Sequence, residues 1–134
     1  MPDSTEVEAM WASRTSEGYK IDNIPFYARG ISAEDIVSAS PDADGMLRFG
    51  ALVVPGQHST IRLWFAKDSE SEVDRIRQEL RDMGCSSELS DLPRLVAVDI
   101  PPTVPYHIVK NALDSYETEG VLEYEESCLA VPSA

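Results

Sequence analysis

Two histidines, two cysteines and one cluster of aromatic and arginine residues are where this chain could do chemistry. His58, Ser59 and Thr60 stand together in GQHSTIRLWF (56–65), where a turn leads into an apolar run. A Ser-His-Asp relay would need Ser59 as nucleophile and a base from elsewhere. Adjacent side chains on an extended chain point to opposite faces, so His58 cannot serve Ser59. His107, the other histidine, lies beside Tyr106 in an amphipathic segment and reads as a boundary residue, and nothing resembles a nucleophile elbow. The expectation is that His58 and Ser59 hydrogen-bond the turn and that no residue is catalytic. No HxH, HExxH or CxxC spacing occurs, so neither a metal nor a cofactor is expected. Cys85 and Cys128 fall in segments that read as strands and suit small buried hydrophobes. A disulfide between them is disfavoured in a reducing compartment.

The aromatic and arginine cluster is IDNIPFYARGISAEDIVSA (21–39), which sets Pro25, Phe26, Tyr27, Arg29 and Gly30 in one connection. Two readings compete. In one, the segment is a packed corner, Phe26 and Tyr27 anchor it, Gly30 supplies backbone freedom, and Arg29 snorkels or pairs with Asp35. In the other, Phe26, Tyr27, Arg29, His58 and Arg62 line a recognition surface, since arginine grips a carboxylate or phosphate with two bonds. A further cluster, Glu117, Glu119, Glu123, Glu125 and Glu126, is the densest acidic stretch. Acids on an edge strand guard against unwanted pairing. The sharper reading makes Glu123, Glu125 and Glu126 a docking ridge for a basic partner.

Charge narrows the choice of partner. There are 24 acidic against 11 basic residues in 134, a formal net charge of -13. Nucleic acid and anionic membrane surfaces reward basic proteins and are disfavoured here. A protein with a basic surface would be steered inward. The N-terminal MPDSTEVEAM lacks the basic region of a secretory signal, and no apolar run is long enough to span a bilayer, so the cytoplasm is the expected compartment.

The elements that must position these residues differ between the two halves. Val7, Ala9 and Trp11 alternate with polar neighbours, and Tyr19 and Ile21 do the same after Ser16-Glu17-Gly18, which predicts a hairpin. Residues 31–35 suggest a helical turn capped by Ser32, and 36–39 an extended course. Residues 46–54 and 58–66, joined by Pro55-Gly56-Gln57, predict a second hairpin. Beyond residue 68 helical periods appear. Ser69-x-x-Glu72 has a capping-box pattern, and Val73, Ile76, Leu80 and Met83 form one stripe that Gly84 can stop. Strands are expected at 85–89, 95–100 and 121–131. A second helix lies between the last two, capped by Thr103, with Pro105 in its first turn and a stripe of Ile108, Val109, Ala112, Leu113 and Tyr116. The expected fold class is α+β: a small antiparallel β-barrel or curled sheet over 1–59, then a ferredoxin-like βαββαβ unit over 60–134, in one compact unit. One face of the second sheet needs a cover that the N-terminal strands could supply.

The runs DNIPFYARGISAEDIV (22–37), DGMLRF (44–49) and GQHSTIRLWF (56–65) resemble the bacterial family called domain of unknown function 4265. The likeness is carried by an NxPFxxxGxxxxDxV pattern and a GHST-R turn, in which this chain interposes Gln57 before His58. It implies a domain boundary and no activity.

Taken together, the residues predict a non-enzymatic intracellular binding protein whose partner is another protein with a basic surface, in the manner of an immunity protein or an adaptor. The rival is a small-molecule or peptide site between the lobes, with Arg29 holding an anionic group and His58 or Asp35 exchanging a proton. A homodimer formed by an open sheet face is the third reading.

Overall fold

The computed structural model describes residues 10–26 and 30–130. The first hairpin pairs β1 (Ala12–Arg14) with β2 (Tyr19–Ile21) around a turn closed by Thr15. Its hydroxyl donates to the Gly18 carbonyl at 3.0 Å and accepts from the Glu17 and Gly18 amides. Of the residues expected in the first strand, Val7 and Ala9 lie outside the described residues, and Trp11 is exposed. The chain then crosses to β3 (Ile36–Pro41) and returns as β4 (Leu47–Val54). Between them the Asp42 carboxylate accepts the Asp44 and Met46 amides, so that one side chain does the work of a turn.

This sheet has the order β1-β2-β3-β4 and is open. No closed barrel forms among the described residues. The first two strands contribute three residues each, too few to wrap round to β4, and the β3–β4 ribbon runs on beyond them. Its small core is Ile21, Ile31 and Val37, with Met10 and Tyr19 against it.

The expected hairpin of 46–54 with 58–66 does not form. β5 (Ser59–Phe65) belongs to a second sheet, where it pairs with β7 (Leu95–Ile100) on one side and β8 (Leu122–Cys128) on the other. With both its edges taken, β5 has none left for β4. The chain turns away at Gln57, whose φ is 68°, and the Gly56 amide is held by Asp35 at 2.7 Å.

The second sheet is antiparallel throughout, with the order β6-β7-β5-β8, β6 being Ser86–Leu89. Two helices, α1 (Val73–Met83) and α2 (Tyr106–Thr118), accompany it. The stripes place Val73, Ile76 and Leu80 of α1, and Val109 and Leu113 of α2, against Ile61, Leu63, Phe65, Val96, Val98 and Ile100. Gly84 ends α1 in the left-handed region, at φ 109°. Neither expected helix cap is made. Ser69 lies inside a 3₁₀ segment, Lys67–Glu72, while Glu72 turns its carboxylate to Arg75. At α2 the capping position is Pro105, not Thr103, and it makes no side-chain bond.

All six residues of β7 and six of the seven in β5 are buried, as in strands covered on both faces. The helices cover one face. Register puts Thr60, Arg62, Leu95, Ala97 and Asp99 on the other, where the N-terminal half supplies contacts. The Ser32 and Thr60 hydroxyls are 2.5 Å apart, and the Gly30 amide donates to the Ser127 carbonyl.

Candidate functional site

Where the halves meet, apolar packing gives way to buried polar groups. Asp35 is 4% exposed, and its two carboxylate oxygens accept the Ser32 amide at 2.8 Å and the Gly56 amide at 2.7 Å. The helical turn expected at 31–35 is therefore a turn closed by Asp35 and not by Ser32, with Glu34 at φ 74°. His58 Nδ1 lies 2.9 and 3.0 Å from the two oxygens of Asp99, which is 8% exposed. Burial pushes the Asp99 carboxyl above its ordinary range, and the hydrogen bond with His58 pulls it partly back. Arg62, also buried, donates to Glu125 at 3.0 Å. Ser59 accepts the Ala130 amide at 2.9 Å, which ties the start of β5 to the chain beyond β8 and not to its own turn as expected.

The loops carrying Gly30 and His58 converge. They share a cavity of about 130 Å³ whose walls include Asp35, Leu52, Gln57 and Cys128. Tyr27 and Arg29 lie outside the described residues, while Phe26 is half-buried. A carboxylate on Nδ1 leaves Nε2 as the second ring nitrogen, the layout of a general base. The cavity is nevertheless smaller than the roughly 300–1,000 Å³ of sites that enclose a metabolite. Asp35 is fully engaged by backbone amides. The geometry is that of a polar seam joining two sheets.

The acidic stretch is divided by the pleat. Glu125 is cross-strand from Arg62 and bonded to it. Glu126 accepts the Tyr106 hydroxyl and lies 3.8 Å from Lys110, on the side of α2. Glu123 is exposed opposite Trp64. Glu123 and Glu125 share one face and Glu126 lies on the other, so the three acids do not make one continuous ridge. His107 is exposed on α2, as a boundary residue should be. The two cysteines are free: burial, with a smaller push from the Asp99 charge, raises the Cys85 thiol to about 11. No group of three or more metal-ligating side chains occurs among the described residues, and none of their helices is long and apolar enough to cross a membrane.

The most conspicuous surface is on β4, the strand expected to pair with 58–66. Leu47, Phe49 and Leu52 pair with Pro41, Ala39 and Val37, so all six share the face that Val37 buries in the small core. Beyond that core the face is uncovered: Leu47 is 48% exposed, Phe49 51% and Leu52 43%. β4 is also an edge, and among the described residues no strand pairs with its outer side. Register shifts interrupt the β3–β4 ladder at two points, and Ser38 Oγ accepts the amide of Ala51 there at 2.9 Å.

A family model described as "Domain of unknown function (DUF4265)" matches residues 8–124, a longer span than the motifs that first suggested it. No curated protein matches the chain. Among solved structures it is similar to a "Novel crystal structure of a hypothetical protein from Neisseria gonorrhoeae", at 22% identity and a TM-score of 0.76. That match covers 93% of this chain and 85% of the other, and at this identity it speaks to the fold alone.

Proposed function

The chain belongs to the DUF4265 family, and we propose that this member is a non-enzymatic binding module whose partner is a protein with a basic surface. The observation that carries the reading is the exposed apolar face of the β3–β4 ribbon, with an edge that no strand pairs among the described residues. Apolar centres with a charged rim are how protein surfaces recognise one another. Here Asp44 stands in the β3–β4 turn beside Asp42, which Arg48 pairs, and Glu34 precedes β3 paired with Lys20, on a chain of net charge -13. The complement is an apolar patch rimmed by Lys and Arg. Two copies of this chain would bring like charge together, so a cationic partner fits better than self-association.

The succession strand, helix, strand, strand, helix, strand, together with the order β6-β7-β5-β8, supports a ferredoxin-like reading of 60–134. Residues 1–59 then act as the lobe that presents the ribbon.

Affinity purification of the tagged chain from its own cells, beside the Leu47→Asp/Phe49→Asp variant, tests the reading. The expected result is a stoichiometric basic protein held by the parent chain at low salt, and lost both at high salt and with the variant. A partner retained equally by the variant would refute it. So would a concentration-dependent dimer, seen by light scattering, that the variant abolishes.

A further inference from the structure

A second concave site lies at the far end of β5, shares no residue with the ribbon, and stands whether or not the ribbon docks a partner. It is a cavity of about 480 Å³, walled by Trp64, Ala66, Arg94, Glu117, Gly120 and Glu123, among others. That volume falls within the range of built ligand sites. Trp64 and Glu123 are cross-strand partners on β5 and β8, so both side chains leave the same face of the sheet. The indole is 43% exposed, an unusual state for tryptophan at the end of a strand whose other residues are all buried. Glu117 comes from the last turn of α2, on the helix-covered side, so the cavity lies at the end of the sheet, where Gly120 leads from α2 into β8; the C-terminal end of α2 carries the negative pole of the helix dipole.

Neither Glu117 nor Glu123 makes an ion pair or side-chain hydrogen bond among the described residues. The cation on the wall, Arg94, donates instead to the Phe65 carbonyl, at 3.3 Å. An aromatic ring and two unpaired carboxylates on the walls of one cavity attract a flat or compact cation through ring quadrupole and charge together. We infer that this cavity binds a guanidinium or alkylammonium group, with Trp64 as the platform and Glu117 and Glu123 as the counter-charges. Such a group can belong to an Arg or Lys side chain of a protein or to a free polyamine. Arg94 makes the site selective, since an anionic neighbour on the ligand could meet it while the cation meets the carboxylates.

Trp11 is the other tryptophan, so a Trp11→Phe chain reports Trp64 alone. Its fluorescence would be titrated with N-acetyl-arginine amide, with the neutral isostere N-acetyl-citrulline amide, with an Arg-Gly-Arg peptide and with spermidine. The expected result is a saturable change with the arginine compound, weakened at least fivefold by Glu117→Gln/Glu123→Gln, and no change with citrulline. Both glutamates are exposed, and circular dichroism would confirm that the double variant is folded. Tighter binding of the peptide than of spermidine assigns the cation to a protein side chain, and the reverse assigns it to a free amine. Equal binding of citrulline, or titrations that the glutamine variant leaves unchanged, would overturn the inference.

Discussion

His58→Ala removes the partner of a carboxylate that the fold keeps from water. Asp99 is 8% exposed, and its two oxygens lie 2.9 and 3.0 Å from the imidazole. Removing one member of a buried pair costs about 3–5 kcal/mol, and leaving a buried polar group unsatisfied costs about 1–3 kcal/mol. The ring itself is 18% exposed, so water can reach part of the vacated space. The carboxyl can also relieve its position by taking up a proton. Both factors hold the loss to about 2–3 kcal/mol at pH 7, or roughly 6–12 °C in Tm for a chain of this size.

The pH dependence carries a sign. Burial already raises the Asp99 carboxyl, and losing His58 removes an influence that lowered it. A raised carboxyl contributes stability that is complete below its unfolded value of 3.8 and is lost as pH climbs through the folded one. The deficit of the variant is therefore smallest near pH 4 and fully present at neutral pH. Urea denaturation of parent, His58→Ala, Asp99→Ala and the double variant, at both pH values, gives the coupling directly. A loss under about 0.5 kcal/mol at pH 7, or an equal loss when Asp99 is already alanine, would refute the view of the seam as a buried, interdependent pair.

Two further outcomes follow from close packing and from titration. Gly56→Ala would set a Cβ 2.5 Å from the Glu34 carbonyl oxygen and 2.6 Å from its carbon; it should cost about 1–3 kcal/mol by urea denaturation, and no loss would mean that the turn moves freely. At alkaline pH, Cys85 is raised to about 11, mainly by burial, and Tyr106 is raised by burial and then by its bond to Glu126. Both are neutral groups favoured by the fold, so their contribution is complete below the ordinary values of 9.0 and 10.0 and declines as pH rises past them. The urea midpoint should fall between pH 9 and 11, less steeply in Cys85→Ala, and a flat midpoint would contradict the assignment.

Much of this molecule is legible along the chain because its signals are local. The stripes Val73, Ile76, Leu80 and Val109, Leu113 need only a helical period, and Gly84 needs only its neighbours. Strand partners are another matter. Alternation in 46–54 marks a strand but does not say that β3 is its neighbour, although a ferredoxin-like order for 60–134 already sets β5 between two strands. For that reason the exposed ribbon, with Leu47, Phe49 and Leu52, could not be foreseen as a surface. Asp99 was hidden for a related reason. It sits in LVAVDI, which reads as core, and its partner His58 is reached only through the β5–β7 register. Trp64 likewise meets Glu123 through β5–β8 pairing, and shares a cavity with Glu117 only because α2 ends beside the start of β8. Charge density alone made Glu123, Glu125 and Glu126 look like one ridge, although strand alternation by itself sets Glu126 on the face opposite the other two. Arg29 and Tyr27, the sharpest features of the sequence, lie outside the described residues.

Hydrogen exchange along β4, with and without a basic partner captured as above, tests the binding account most directly. Alternate amides of an edge strand point away from its neighbour and exchange with solvent until another surface covers them. Binding at the ribbon predicts slowed exchange across Leu47–Val54, absent in the Leu47→Asp/Phe49→Asp variant. Protection confined to other segments, with the β4 amides exchanging as in the unbound chain, would contradict it.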